Sequence, residues 1–149
     1  RKDFIQQKSD LIETVDAGAS AVLLIVAMLE KEQLFHLYED ALELGLEPLV
    51  ETHNETELQI ARELELTFVG INNRNIVELE LDDGTVAKTE NLISYAPSEA
   101  FILSESSIAS PQDVRRATEA GAHGVLVGTA ILQADDPASM YQKLSATRG

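Results

Sequence analysis

In Phe68-Val69-Gly70-Ile71-Asn72-Asn73-Arg74-Asn75 a short apolar run stops abruptly at three amides and a guanidinium group, as a buried strand does when it ends in a site. An apolar run of strand length can pack on both faces of a parallel sheet, whereas the polar groups after it need polar partners. Polar or small residues also end three other apolar runs, at residues 49–51, 102–106 and 126–129. Several strand ends that converge on one polar patch are typical of a parallel barrel.

The composition is that of a globular domain, with 149 residues, 44% of them hydrophobic and 25% charged. The absence of cysteine excludes disulfides, thiolate nucleophiles and cysteine metal sites, and it fits a reducing compartment, so we expect a cytoplasmic protein. The longest apolar stretch, residues 19–29, is about half of the roughly 20 residues that span a bilayer, so no membrane partner is expected.

The charge of the chain bears on its partners. A formal charge of −15 with 11 scattered basic residues argues against a nucleic-acid partner, which requires clustered lysine and arginine. A small anionic substrate remains compatible with this charge, because a few local cations and backbone N–H groups can hold one phosphate.

Helical and strand patterns alternate along the chain, which predicts an α/β fold. Periodicity predicts helices over residues 8–17, 31–44, 56–63, 85–95, 111–120 and 137–144, and strands over residues 21–26, 48–51, 67–71, 100–105 and 124–128. The strand spacing of about 20 to 35 residues is that of right-handed crossover units and implies neighbouring parallel strands. Five strands are too few for an eight-stranded barrel of about 250 residues, so an open parallel sheet remains an alternative.

Local signals mark the ends of the predicted helices. Gly18 and Gly121 each follow a helix within similar segments, 17–24 and 120–127, where a left-handed glycine closes the last turn. Ser110-Pro111-Gln112-Asp113 offers an N-cap hydroxyl, a proline at the first helical position and an acid in the first turn.

At these strand ends the chain resembles the indole-3-glycerol-phosphate synthase family. Residues 1–4 resemble the end of that family's third strand and residues 21–26 its fourth, and the strands that follow are matched by Leu49-Val50-Glu51, Gly70-Ile71-Asn72-Asn73-Arg74, Ser104-Glu105-Ser106 and Val127-Gly128. The resemblance covers essentially all of the chain. It implies a partial (βα)8 TIM barrel, from the end of strand 3 through helix 8. Residues 1–149 would then form one incomplete barrel domain that lacks the N-terminal extension and the first two βα units.

The resemblance implies closure of the indole ring of 1-(2-carboxyphenylamino)-1-deoxyribulose 5-phosphate, with loss of carbon dioxide and water, and it implies no cofactor and no metal. The partner is therefore a small phosphorylated anionic substrate. Because a family lysine and glutamate would lie in the missing part, we expect the isolated chain to be inactive, and to pair with the missing N-terminal segment or with itself through exposed strand edges. The alternatives are a catalytically silent fragment that acts only by association and a related phosphate-binding barrel isomerase.

Three residues are expected to carry the chemistry. The resemblance makes Lys2 the general acid that protonates the ketone oxygen; an exposed terminal lysine is the plain alternative. Glu51 ends an apolar strand, so burial is expected to raise its pKa and suit it to proton transfer in the dehydration. Asn72 would fix a substrate hydroxyl or the catalytic carboxylate.

Other residues are expected to hold the substrate. Arg74 would meet the substrate carboxylate, and Glu105 and Ser106 would line the site, whereas Asn73 is interpreted as a loop cap. The apolar wall around the anthranilate ring would come from Phe4, Leu23 and Ile76.

The phosphate is expected at Ser107, Gly128 and Thr129, where backbone N–H groups after the last strand point outward. Ser107 and Asn75 depart from the family pattern, which usually has glycine at the first position and often aspartate at the second. A plain tight turn is the alternative for both loops.

The three histidines are not expected to carry chemistry. Glu51-Thr52-His53 offers no evident third metal ligand, so His53 is interpreted as a surface loop histidine. His36 and His123 are interpreted as structural.

Overall fold

A computed structural model of the chain describes residues 1–74 and 85–146. Five strands form one sheet in the order β1-β2-β3-β4-β5, and every neighbouring pair is parallel. The strands are β1 Ala21–Ile25, β2 Glu47–Thr52, β3 Phe68–Asn72, β4 Phe101–Glu105 and β5 Gly124–Leu126. The predicted parallel α/β sheet is therefore confirmed. The last strand is shorter than predicted, because the chain turns at Val127 and Gly128 into a short helix.

Helices alternate with the strands as predicted, and one further short helix, which was not predicted, follows the last strand. They are α1 Lys8–Asp16, α2 Lys31–Glu43, α3 Glu55–Glu63, α4 Ala87–Leu92, α5 Pro111–Ala120, α6 Thr129–Leu132 and α7 Pro137–Ser145, with 3-10 turns at Val26–Met28 and Ile93–Tyr95. The one helix predicted over residues 85–95 is divided into α4 and the second 3-10 turn. Each helix of the described residues is too short or too polar to span a bilayer.

The signals that end and begin helices act as predicted. Gly18 and Gly121 have φ values of 77° and 117°, in the left-handed region that favours glycine. At α5 the Ser110 hydroxyl accepts a hydrogen bond from the Asp113 backbone N–H, while the Asp113 carboxylate accepts from the Ser110 N–H.

The two faces of the sheet have different roles. The helix-covered face contributes the core, with fully buried Val50, Val69 and Ile71 packed against side chains such as Leu34 and Leu58. Because side chains alternate along a strand, the intervening residues face the other way. The register pairs Glu51 with Gly70 and Asn72 with Glu105, so the polar side chains at the strand ends share the face opposite the helices.

The first residue extends this sheet. The Arg1 backbone carbonyl accepts a hydrogen bond from the Leu23 N–H at 3.0 Å, and the Arg1 amino group donates to the Ala21 carbonyl at 2.5 Å. Residue 1 thus pairs with β1 on the side away from β2, which agrees with the resemblance of residues 1–4 to a preceding strand end. This pairing brings Lys2 to the polar edge of the sheet.

Candidate active site

Four side chains meet at the carboxyl ends of the strands, and we call them the strand-end cluster: Lys2, Glu51, Asn72 and Glu105. The Lys2 ammonium lies 3.3 Å from Glu51 Oε2 and 3.9 Å from Glu105 Oε2. The Asn72 amide donates to Glu51 Oε1 at 2.9 Å. The structure therefore brings together all three residues that were predicted to carry chemistry, together with one predicted to bind substrate.

Burial within the strand-end cluster is uneven. Glu51 and Glu105 are each only 1% exposed, whereas the Lys2 side chain is 65% exposed. Buried carboxylates are costly unless a positive charge or hydrogen-bond donors accompany them. Lys2 supplies that charge from the solvent side, where its ammonium group is also open to a ligand.

The ionisation of Glu51 differs from the sequence-based expectation. Burial does act to raise its pKa, but His53, the Asn72 amide and the Lys2 charge outweigh burial and lower the pKa to about 2. The prediction that burial raises the pKa of Glu51 is therefore wrong, because the strand end also gathers partners for the charged form. Glu51 is an ionised carboxylate at neutral pH.

Glu105 has the opposite character. Burial, followed by the nearby Glu51 charge, raises its pKa to about 7, with Lys2 acting against both. Neither carboxylate oxygen finds a hydrogen-bond donor within the described part of the chain. The pKa values of these two neighbouring carboxyl groups are therefore shifted in opposite directions.

His53 is buried, with 5% of its surface exposed, so the interpretation as a surface loop histidine is wrong. Its Nε2 lies 3.1 Å from Glu51 Oε1 and its Nδ1 lies 3.0 Å from Glu57 Oε2. Asn54 caps α3 through its side chain, so the helix starts at once after β2 and returns Glu57 over the histidine. The spacing of four residues between His53 and Glu57, on either side of the N-cap residue Asn54, was the sequence signal for this contact.

The two carboxylates set the charge of His53. Burial acts to lower its pKa, but Glu51 and Glu57 outweigh burial and raise the pKa to about 9. His53 is therefore an imidazolium at neutral pH. No group of three or more His, Cys, Asp or Glu side chains in residues 1–74 and 85–146 is arranged to hold a metal ion.

Asn73 ties the ends of β3 and β4 together. Its amide donates to the backbone carbonyls of Glu105 at 2.9 Å and Ser106 at 3.1 Å, and to the Ser104 hydroxyl at 3.1 Å. Its carbonyl oxygen accepts from the Thr89 N–H and hydroxyl, both at 3.1 Å. The interpretation of Asn73 as a loop cap is confirmed.

A cleft of about 520 Å³ joins the strand-end cluster to the predicted phosphate residues. The predicted site residues that line it are Lys2, Arg74, Glu105, Ser106, Ser107, Gly128 and Thr129. A Cβ atom at Gly128 would meet nothing within 4 Å, so the space above this glycine is open. An anion in this cleft would therefore lie near both the Lys2 ammonium and the start of α6.

The loop after β4 has an unusual backbone. Ser106 and Ser107 have φ values of 64° and 55°, in the left-handed region that L residues other than asparagine and aspartate rarely adopt. Glycine adopts such values without strain, which gives a physical reason for the glycine that the family usually has at Ser107.

The remaining predicted residues divide into those placed at the site and those apart from it. The Arg74 backbone N–H donates to Asn72 Oδ1 at 3.0 Å. Phe4 is 62% exposed and does not line the cleft, whereas Leu23 is 4% exposed. Asn75 and Ile76 lie outside the described residues.

His123 has a structural role, as predicted. Its Nδ1 accepts a hydrogen bond from the Ile102 N–H at 3.0 Å, and its ring stacks on Phe101 with centroids 5.0 Å apart. An imidazole that accepts at Nδ1 carries its proton on Nε2.

Comparison with known proteins identifies similar sequences. A family described as indole-3-glycerol phosphate synthase matches residues 1–144. Relatives of that name from Thermococcus kodakarensis and Pyrococcus furiosus are 47% and 45% identical over 144 and 143 residues, which are 97% and 96% of this chain but 63% and 62% of theirs. A Streptococcus pneumoniae relative of the same name is 42% identical over 99% of this chain and 56% of its own. The chain thus spans less than two thirds of the length of these relatives.

Solved structures share the fold at low sequence identity. A 3-hexulose-6-phosphate synthase superposes with a TM-score of 0.73 at 17% identity, covering 99% of this chain and 73% of that one. The Salmonella typhimurium enzyme of that name gives 0.75 at 19% identity, covering 96% and 69%. Together with the family match, these likenesses confirm the predicted partial (βα)8 TIM barrel.

Proposed function

Because the chain belongs to the indole-3-glycerol phosphate synthase family, we propose that its protein converts 1-(2-carboxyphenylamino)-1-deoxyribulose 5-phosphate to indole-3-glycerol phosphate in tryptophan biosynthesis. The reaction breaks a carbon–carbon bond with release of carbon dioxide, so the enzyme is a carboxy-lyase. The observation that carries the proposal is the Lys2 ammonium held against two buried carboxylates, in a cleft shared with the phosphate residues. Family membership favours this activity over a related barrel isomerase.

Lys2 is the proton donor for ring closure. As the aromatic carbon attacks the ketone carbon, the ketone oxygen becomes negative and must be protonated. The ammonium group is exposed on the cleft side and is fixed from behind by Glu51 and Glu105. Loss of carbon dioxide then returns the electron pair to the ring and restores its aromaticity.

Glu51 is the proton acceptor of the dehydration that follows. The new hydroxyl leaves as water after it receives a proton, and a neighbouring ring proton is removed to form the double bond. A carboxylate with a pKa of about 2 stays ionised throughout the neutral range and so remains available as an acceptor. Asn72 orients this carboxylate through the hydrogen bond to Oε1.

The other cleft residues hold the substrate. Arg74 pairs with the substrate carboxylate through its planar guanidinium group, and Ser106 bonds a sugar hydroxyl. Glu105, whose pKa is raised to about 7, carries a proton in a large fraction of molecules and can donate it to a substrate oxygen. Ser107, Gly128 and Thr129 bind the phosphate through their backbone N–H groups.

The edge of the sheet at β5 is a candidate surface for association with a partner. β5 pairs with β4 alone among the described strands, and beside it lies an apolar cavity of about 590 Å³ whose lining includes Leu126 and Tyr141. We infer that another segment of the barrel, or a second copy of the chain, pairs with this edge, because an unpaired parallel edge is exposed to association. A cytoplasmic location fits the absence of cysteine and the biosynthetic role.

A chimera tests the activity. Because the chain matches 63% of the Thermococcus kodakarensis relative, it can replace the matched part of that protein while the remainder is kept. We expect the chimera to form a fluorescent indole product from the phosphorylated substrate, and a Glu51→Gln chimera of the same fold to lose most of that turnover. A folded chimera without turnover, or a Glu51→Gln chimera as fast as the parent chimera, would contradict the proposal.

A further inference from the structure

We propose that His53 is a positioning residue for this reaction: its ring, held between Glu51 and Glu57, fixes the orientation of the Glu51 carboxylate. The inference rests on the proposed function only for the role of Glu51. The arrangement of the three side chains, which we call the Glu57-His53-Glu51 relay, stands on the contacts alone.

The contacts divide the two oxygens of Glu51. His53 Nε2 lies 3.1 Å from Oε1, and the Asn72 amide donates to the same oxygen at 2.9 Å. Oε2 is left to face the Lys2 ammonium at 3.3 Å. Oε1 therefore accepts a hydrogen bond from Asn72 and forms an ion pair with the His53 ring, whose Nε2 is not aligned for a hydrogen bond, while Oε2 is directed to the group that meets the substrate.

Glu57 fixes the ring of His53 from the other side. Its Oε2 accepts from the His53 backbone N–H at 2.8 Å and lies 3.0 Å from Nδ1, and its Oε1 accepts from the Asn54 amide at 2.7 Å. The two carboxylates favour the protonated form of the imidazole over the neutral form. The ring cannot turn without breaking one of its two contacts. Through these contacts the relay connects the start of α3 to the Glu51 side chain at the end of β2.

The start of α3 does not itself require the histidine. Asn54 caps the helix through its own side chain, which accepts from the Glu57 backbone N–H at 3.0 Å. Buried ion networks are also weak sources of stability, since apolar replacements of similar volume are often as stable. A function in orienting a carboxylate accounts for a buried, charged histidine better than helix capping does.

The charges around the relay come from every element that meets there. Glu51 lies on β2, Glu57 on α3, Glu105 on β4, and Lys2 precedes α1, with the neutral Asn72 on β3. Burial acts to lower the pKa of His53, and the two carboxylates raise it to about 9, which agrees with a charged relay at neutral pH.

Nuclear magnetic resonance of the chain itself tests the relay without any turnover. With the histidine nitrogens labelled, we expect the titration midpoint of His53 to lie well above the ordinary histidine value of about 6.5. Glu57→Gln keeps the shape of residue 57 but removes its charge, so the titration midpoint of His53 falls towards the ordinary histidine value. Glu55→Gln is the matched control, because it removes one charge from the same helix away from the ring, and it leaves the His53 midpoint unchanged.

Carboxyl titration in His53→Gln gives the second measurement. Burial raises the pKa of Glu51, and the imidazolium lowers it. Without the imidazolium, the Glu51 carboxyl should therefore take up its proton at a higher pH than in the parent chain. Glu57→Gln provides the same comparison should His53→Gln fail to fold. A His53 titration midpoint at the ordinary histidine value, or a Glu51 titration unchanged in both variants, would overturn the relay.

Turnover in the chimera tests whether the relay contributes to the reaction. His53→Gln should lower kcat more than it changes KM, and the loss should deepen on the acid side of the pH profile as Glu51 gains its proton. Shifted Glu51 titration with unchanged kcat at every pH would overturn the catalytic role of Glu51 and leave the relay as a finding about charge alone.

Discussion

The carboxylate of Glu105 lies directly over the Cα atom of Gly70: a Cβ at Gly70 would stand 1.8 Å from Glu105 Oε1. Gly70 is the register partner of Glu51 on β2, so the missing side chain leaves a gap beside Glu51 on the polar face of β3. Glu105 reaches across β3 through this gap towards Glu51 and Lys2. The glycine therefore determines where the second carboxylate lies.

Gly70→Ala should displace the Glu105 carboxylate, because a real Cβ cannot lie so close to an oxygen. We expect a loss of about 1 to 3 kcal/mol in the free energy of unfolding, as for other overpacked cores, together with reduced turnover in the chimera. Gly128→Ala is the control for stability, since nothing lies within 4 Å of its added methyl group. Urea unfolding measures both, and equal stabilities would show that Glu105 lies elsewhere.

The free energy of unfolding should fall as the pH is raised through the neutral range. Glu105 has its pKa raised from 4.5 to about 7, so the fold favours the protonated form and loses stability across that interval. His53 has its pKa raised from 6.5 to about 9, so its contribution is complete below 6.5 and is lost as the pH rises through 9.

Two variants separate these effects from general repulsion in a chain of charge −15. Glu105→Gln should flatten the lower part of the pH profile and His53→Gln the upper part, each measured by urea unfolding at several pH values. A parent profile that rises with pH over the neutral range, or two variants with the parent slope, would show that these groups do not carry the linkage.

Ser107→Gly should stabilise the chain, because serine at a φ of 55° is strained and glycine is not. Glu65→Gly is a matched control, with a φ of 52° at an exposed position after α3. We expect both variants to unfold at a higher temperature by a similar small amount, and only Ser107→Gly to change the KM of the phosphorylated substrate. A lower unfolding temperature in both would contradict the backbone argument.

Gly128→Val should raise KM without loss of the fold. The added side chain enters open space at the start of α6, in the cleft that Ser107 and Thr129 also line. Circular dichroism checks the fold and initial rates check KM. An unchanged KM in a folded variant would place the phosphate elsewhere.

The sequence predicted the sheet well because its signals are local. Apolar runs and capping residues such as Ser110 define the elements, and the spacing of the strands defines their parallel order. The edge at which Lys2, Glu51 and Asn72 meet followed from the resemblance. The site itself depends on contacts between strands, which no single segment contains.

Two properties of the site differ from the sequence-based expectation because they depend on contacts between several elements. The pKa of Glu51 depends on partners that come from other elements, so burial alone gave the wrong direction. The burial of His53 depends on the return of Glu57 from α3, whereas the interpretation as a surface loop histidine rested on the lack of an evident third metal ligand. The close approach of Glu105 to Gly70 likewise requires the register of β3 and β4.

Replacement of Lys2 by alanine in the chimera tests whether Lys2 is the proton donor for ring closure. A proton donor acts chiefly in the transition state, so we expect kcat to fall on the order of 10² to 10⁴-fold with a much smaller change in KM. Lys8→Ala is the matched control, because Lys8 pairs at 2.5 Å with Asp40 on the helix surface, and its kcat should equal that of the parent chimera. A Lys2→Ala chimera that turns over at nearly the parent rate would contradict the account.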